Sequence, residues 1–351
     1  MSILSGASGA KEHGASIVRK PSMRQVADHA GVAMSTVSRV ISSHPDVSSL
    51  MRERVLRSVQ ELGYEPDFLA QSLRRGATRS VGFALSDISN PVIAEMEHGA
   101  EEALRAAGYS MLVMSSENNP ALDGVHIRFL QSRRVDGLML LLASERKKTT
   151  IDTLVPLDIP IVAIDRDLPK RLRASAVLTD HRTGMAAATG HLLDLGHRRI
   201  ALVSWSLDLR PGRERLAGLR AAYQSRGLPD TFIHVVASTP EQGEQTTGEV
   251  LDGPDAPTAL IAGTNQVLIG SLRALVKRGL RPGADLALVT CDDVPLAELF
   301  TPPIAIIARD NFATGRIAAE LLLRRFNGPD EPETVVLPTT FVPRASCSPP
   351  G

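Results

Sequence analysis

The chain has 351 residues, 43% of them hydrophobic and 22% charged, with Lys+Arg and Asp+Glu balanced at 39 each. This length supports two or three domains with real cores and excludes a disordered or collagen-like chain. The apolar run Leu138–Ala143 is far shorter than the roughly 20 residues a membrane helix needs, so no membrane partner is expected.

Residues 1–20 are rich in Gly, Ser and Ala, with no apolar period and no block that could serve as a signal peptide, so a mobile tail on a soluble, cytoplasmic protein is expected. The two cysteines, Cys291 and Cys347, allow neither a disulfide framework nor a Cys-based metal site. The balanced charge is unevenly placed. Residues 20–80 hold nine Lys/Arg against six Asp/Glu, whereas residues 81–351 carry a deficit of four. A small basic N-terminal part on a slightly acidic body points to an anionic partner for the first part.

Three short helices are predicted first: Met23–Ala30, Met34–Ser42 and Ser48–Leu62. Ser48 is placed as an N-cap, and Gly63 sits where a helix end wants positive φ. Met51, Val55, Leu56 and Val59 are expected on one apolar face of the third helix. After Arg79 the texture becomes strand–helix alternation. Strands are expected at Val81–Leu85, Met111–Met114, Leu138–Leu142, Ile161–Asp165, Ile200–Trp205, Ile233–Ala237, Ala259–Ala262, Leu286–Thr290 and Ile304–Ala308. Between them lie candidate helices such as Ile93–Ala107, Arg182–Leu195, Arg213–Arg226 and Phe312–Phe326. Near-continuous apolar strands alternating with helices imply parallel sheets covered on both faces, and nine of them exceed one comfortable domain. The expected fold is therefore α/β, two doubly wound lobes behind a small helical domain, with ligands at the carboxyl ends of the strands.

Residues 23–42 read MRQVADHAGVAMSTVSRVIS. Ala27 is small where two crossing helices must touch, Gly31 tolerates the positive φ of the turn, and Val26, Val32 and Val37 lock the pair. This is a helix-turn-helix pattern, although an ordinary helical hairpin would share it. The exposed face of the second helix decides for DNA. Met34, Ser35, Thr36, Ser38 and Arg39 offer short hydroxyls for phosphates and one Arg that can fork onto guanine.

The runs AGVAMSTVSRVIS, VSSLMRERV, LGYEPDFLAQSL and TRSVGF, then SDISNP, LGHRRIALV, LVTCDD and LPTTFVPRAS, occur in order along the chain. Together they resemble the LacI/GalR family of bacterial repressors over essentially its whole length. The resemblance implies a tail at 1–20, a helix-turn-helix DNA-binding domain at 21–64, a hinge helix and linker at 65–79, and at 80–346 a two-lobed effector-binding and dimerisation domain like the periplasmic sugar-binding proteins. It implies that Met34, Ser35 and Arg39 read base edges, with Met34 suited to a thymine methyl. Ser22, Thr36, Ser38 and Ser48 fall where the family holds phosphates. Pro66–Leu73 matches the hinge helix, with Leu73 as a minor-groove wedge and Arg74 reaching along the groove. Linker packing for Leu73 and a solvated charge for Arg74 are the alternatives. Asp67 replaces the Asn common in the hinge, which places a carboxylate near phosphate.

In the body, the resemblance implies effector contacts for Asp165, Asp292 and Arg213, the last at the start of a helix; turn capping is the alternative for the two carboxylates. Ser86, Trp205, Thr264 and Asn265 are further candidates. Thr264-Asn265 replaces the usual Asn-Asp pair, Leu141 stands where some sugar-responsive members place Asn, and Val92-Ile93 replaces an aromatic pair. Sugar stacking is accordingly thin, and a phosphorylated, acidic or non-sugar effector is open. Two-fold reading of a pseudo-palindromic operator implies a homodimer, and no heptad repeat suggests a tetramer.

An enzyme is the rival from another class. However, no GxGxxG, P-loop, HExxH or GxSxG pattern is present, and no cofactor is implied. His181, His191 and His197 flank one helix and are expected in solvated or capping roles. A solute-binding protein without specific DNA binding and a ligand-responsive activator are the remaining alternatives to a repressor.

Overall fold

The computed structural model describes residues 21–42, 44–64, 77–328 and 331–350. The hinge residues Asp67, Leu73 and Arg74, and the tail at 1–20, lie outside them. Contacts divide the chain into two compact units between Thr78 and Arg79.

The first unit contains α1 (Met23–Ala30), α2 (Met34–Ile41) and α3 (Ser49–Leu62). Ser22 starts α1 through a capping box. Its hydroxyl accepts from the Gln25 backbone N–H, while the Gln25 side chain accepts from the Ser22 backbone N–H at 2.8 Å. Gly31 ends α1 at φ 62°, where a Cβ would be strained, and turns the chain into α2. Val26, Ala27, Val37, Val40 and Val55 close a small core between the three helices. Ser48 caps α3, as its sequence position suggests. Leu56 departs from expectation. It is about half exposed rather than on the buried face, because Val55 and Ser58 face α1 and α2 instead.

The second unit holds two six-stranded sheets. The first lobe contains β1 (Ser80–Leu85), β2 (Ser110–Ser115), β3 (Gly137–Leu141), β4 (Ile161–Ile164) and β5 (Ser175–Thr179), covered by α4 (Pro91–Ala106), α5 (Pro120–Ser132) and α6 (Lys148–Leu154). The chain then crosses into α7 (His181–Asp194), β6 (Ile200–Ser204), α8 (Arg210–Gln224), β7 (Ile233–Val236), α9 (Pro240–Leu251), β8 (Ala259–Ala262), α10 (Asn265–Lys277), β9 (Ala287–Cys291), α11 (Pro295–Leu299) and β10 (Ala305–Ala308). It returns through α12 (Asn311–Asn327) and β11 (Thr334–Leu337) and ends on β12 (Thr340–Val342). The strand orders are β11-β5-β4-β3-β1-β2 and β12-β10-β9-β8-β6-β7, parallel except for β12 against β10.

The sequence pattern missed β5, β11 and β12. All three are short, and their alternating or exposed positions lack the continuous apolar run of the buried strands. The buried strands themselves are solid core, β1, β3, β4, β6, β8 and β9 being buried at every position.

Two glycines fix how α12 docks on the first lobe. A Cβ on Gly315 would come 1.7 Å from the Met96 carbonyl oxygen, and one on Gly99 would come 2.1 Å from that of Phe312. The backbones of α4 and α12 therefore touch, and the chain just before α12 is held between the lobes.

Candidate functional site

Three chain crossings meet where the lobes join, at Asp180, at Arg309-Asp310 and at Pro338-Thr339. They are stitched together, because the Thr339 hydroxyl donates to the Asp180 carbonyl at 2.7 Å and the Asp180 N–H to the Leu337 carbonyl at 2.8 Å. Facing them are the carboxyl ends of the strands of both lobes.

Asp165 follows β4 and Asp292 follows β9, each with positive φ, 49° and 78°. The left-handed turn swings both carboxylates inward. Neither caps a helix, since α11 has Val294 at its N-cap and no side-chain bond there. Instead, Arg309 bridges them, with Nη1 2.8 Å from Asp165 Oδ2 and Nε 2.6 Å from Asp292 Oδ1. All three side chains are buried. Asp165 also accepts from the Thr179 N–H at 2.7 Å and the Thr179 hydroxyl at 3.0 Å, and pairs with His181 Nε2 at 3.3 Å.

Burial opposes ionisation of Asp165, but His181, Arg309 and the Thr179 N–H outweigh it and hold the carboxyl well below the usual range. Burial pushes the His181 imidazole down to about 4 despite the pull of Asp165, and Arg215 adds to the drop. At neutral pH, His181 is therefore an uncharged ring donating to an ionised carboxylate. This corrects the expectation of solvated histidines. His197 is buried too, bonded to Thr258 Oγ1 at 2.9 Å and the Ser348 carbonyl at 2.8 Å.

Arg213 does not start its helix. Pro211 in the first turn begins α8 at Arg210, which places Arg213 nearly a turn further on. There it closes one mouth of the cleft, its Nη2 lying 2.5 Å from Glu145 and 2.6 Å from Asp167. Arg210 lies 3.8 Å from Asp165 and 3.5 Å from Asp167. The arginine that α8 buries is Arg215, which is 1% exposed, with its guanidinium carbon 5.2 Å from the Trp205 ring centroid. Sequence reading missed Arg215 and Arg309, and nothing in their spacing to the acids signals either.

Ser86 and Thr264 are buried at strand ends. The Thr264 hydroxyl is engaged as the N-cap of α10, accepting from the Val267 N–H at 3.0 Å. Asn265 crosses the cleft, its Nδ2 donating to Asn90 Oδ1 at 3.0 Å. Val92, Ile93 and Leu141 are buried, apolar filling. Asp165 and Asp292 thus converge on Arg309 from the strand ends of the two lobes, Trp205 packs on Arg215, Asn265 meets Asn90, and Arg213 sits at the rim. Among the described residues, no group of His, Cys, Asp and Glu is arranged to hold a metal ion.

In the first unit, α2 presents Met34, Ser35 and Arg39 outward, with Thr36 and Ser38 half-buried beside them. Val37 and Val40 anchor its opposite face. No side chain caps its N-terminus at Ala33, so the first-turn amides keep no side-chain acceptor. Ser22 and Ser48 are exposed, their hydroxyls serving as helix caps, and both positions remain open to a phosphate.

Comparison with known proteins matches residues 22–67 to "Bacterial regulatory proteins, lacI family" and residues 189–347 to "Periplasmic binding protein-like domain". The HTH-type transcriptional repressor PurR of Haemophilus influenzae (strain PittEE) is 31% identical over 313 residues, 88% of this chain and 92% of the relative. The ribose operon repressor of Escherichia coli (strain K12) is 31% identical over 309 residues, 88% and 93% of the two chains. The solved structure of the Lac repressor dimer bound to operator and the anti-inducer ONPF superposes with a TM-score of 0.83 at 25% identity, covering 94% of this chain and all of that one.

Proposed function

The chain belongs to the LacI family of bacterial regulatory proteins and is a DNA-binding transcriptional repressor, and on that premise we propose how its residues divide the work. The carrying observation is the outward face of α2. Met34 and Ser35 open the helix and Arg39 lies just over a turn on, the positions from which a recognition helix reaches base edges in the major groove. Arg39 supplies the bidentate contact to guanine, and Met34 meets a thymine methyl. Ser22, Thr36, Ser38 and Ser48 hold phosphates and set the register. Leu73 is the wedge between the half-sites, with Arg74 beside it.

The repressor works as a homodimer, each protomer reading one half of a pseudo-palindrome. We assign pairing in the second lobe to an apolar face where Val276 is 70% exposed, beside Ile269, Leu272, Leu296 and Phe300. A small-molecule effector sits between the lobes against Asp165, Trp205, Asn265 and Asp292, with Ser86 and Thr264 behind them. Binding changes the relative rotation of the lobes and thereby the spacing of the paired hinges. The domains fall at 21–64 for DNA, 65–79 for the hinge and 80–346 for effector and partner, and the site is cytoplasmic, at the nucleoid. The clustered charges are a binding site rather than a catalytic one, because the paired carboxylates are neutralised by Arg309 and burial pushes the neighbouring Cys291 thiol up, away from the reactive thiolate. The test is Arg39→Ala on duplexes recovered with the wild-type protein. Affinity falls by about 1–3 kcal/mol, with specificity relaxed at a single position of each half-site. Uniform weakening across all sequences would assign Arg39 to phosphate instead.

A further inference from the structure

Resting on the reading of α2 as the recognition helix, we propose that Met34 is a reversible oxidation site. Conversion of its thioether to the sulfoxide by hypochlorous acid loosens the chain from its operator, and enzymatic reduction restores the grip.

Exposure singles out this sulfur. Met96, Met139 and Met185 are buried in the two lobes, and Met23, Met51, Met111 and Met114 are half-buried. The Met51 sulfur also accepts from Arg54 Nη2 at 3.5 Å. Met34 is 52% exposed, the most open methionine among the described residues.

The two thiols compete poorly. Oxidants attack the thiolate, whereas burial pushes Cys291 up and Cys347 up to about 11, so both stay protonated at neutral pH. A thioether has no proton to lose, and its accessibility sets the order of attack. In the reaction the O–Cl bond breaks and an S–O bond forms. The sulfur gives up two electrons, chlorine takes them and leaves as chloride, and one proton passes to solvent.

The position gives the modification its consequence. Met34 opens α2, whose opposite face is anchored by Val37 and Val40. The sulfoxide replaces a flexible apolar tip with a polar, chiral one. It forfeits the contact with a thymine methyl and sets an acceptor oxygen against thymine O4, which is itself an acceptor. That oxygen also lies beside first-turn amides that no side chain caps, where it competes with a phosphate. A dimer carries the change in both half-sites, so the losses add. Met34 is absent from the core formed by Val26, Ala27, Val37, Val40 and Val55, so the headpiece stays folded.

The experiment treats the purified full chain with graded hypochlorous acid and maps oxidation by mass spectrometry after trypsin. Met34 is the sole methionine of its tryptic peptide, residues 25–39. Binding is measured on a duplex selected with the untreated protein and on a scrambled duplex. Met34 gains oxygen before the other methionines of the described residues, and bound operator protects it. Affinity for the selected duplex falls about tenfold or more, affinity for the scrambled one is nearly unchanged, and the melting temperature holds. Methionine sulfoxide reductases return the lost affinity. Met34→Leu binds equally before and after treatment, and Met34→Gln, which carries a polar tip permanently, binds as weakly as the oxidised wild type.

Earlier oxidation of a cysteine or of another methionine among the described residues overturns the proposal. So does a Met34 sulfoxide form that keeps its preference for the selected duplex, and so does an equal loss on both duplexes, which marks general damage. Untreated protein that does not distinguish the two duplexes overturns operator reading as well, and that failure shows before any oxidant is added.

Discussion

Replacing Arg309 with Met keeps the side-chain length and deletes the charge that neutralises two buried carboxylates. Asp165 would retain the Thr179 N–H at 2.7 Å and the Thr179 hydroxyl at 3.0 Å. Asp292 would lose the Nε contact at 2.6 Å that satisfies it. Breaking one side of a buried pair costs about 3–5 kcal/mol because the remaining charge is left uncompensated. Urea unfolding followed by circular dichroism at neutral pH measures the loss. The double variant Arg309→Met/Asp292→Asn, which removes both charges, recovers more than half the deficit. A loss below 1 kcal/mol, or no recovery in the double variant, would refute the bridging role of Arg309.

Other outcomes follow from the same geometry. Ser22→Ala removes the capping box of α1 and lowers headpiece stability by about 1 kcal/mol, read from its thermal unfolding. The His181 imidazole is held at about 4 in the folded chain against 6.5 ordinarily, so the unfolded chain takes up the proton first. Stability is full above about pH 6.5, declines as pH falls and levels off near 4, a loss of roughly 3 kcal/mol. His181→Asn flattens the urea-unfolding profile between pH 6.5 and 5. Leu73→Ala weakens specific operator binding by a few kcal/mol and leaves non-specific binding nearly unchanged in a mobility-shift titration. Equal losses on both kinds of DNA would return Leu73 to linker packing.

The headpiece was legible in the sequence because its determinants are local. Gly31, Ala27 and Val37 lie within eleven positions of one another, and helix capping and turn chemistry act over three or four residues. The parallel sheets were legible because strands buried on both faces leave unbroken apolar runs. The marginal strands β5, β11 and β12 leave none. The cleft was half legible. Asp165 and Asp292 announce themselves at the ends of apolar strands, whereas Arg309 meets Asp165 across 144 positions, a pairing made only when the crossings converge. Arg213 and Arg215 are two residues apart on one helix, and which of them faces inward depends on where α8 begins. Pro211 moves that start to Arg210 and turns Arg215 into the core.

Selection of bound sites from random duplex DNA with the purified protein, run with and without a metabolite extract, tests whether this chain reads a two-fold operator. A pseudo-palindrome whose half-sites are related by two-fold symmetry and whose centre is a flexible pyrimidine–purine step is the expected product. Failure to enrich any consensus under either condition would overturn operator reading by a symmetric dimer.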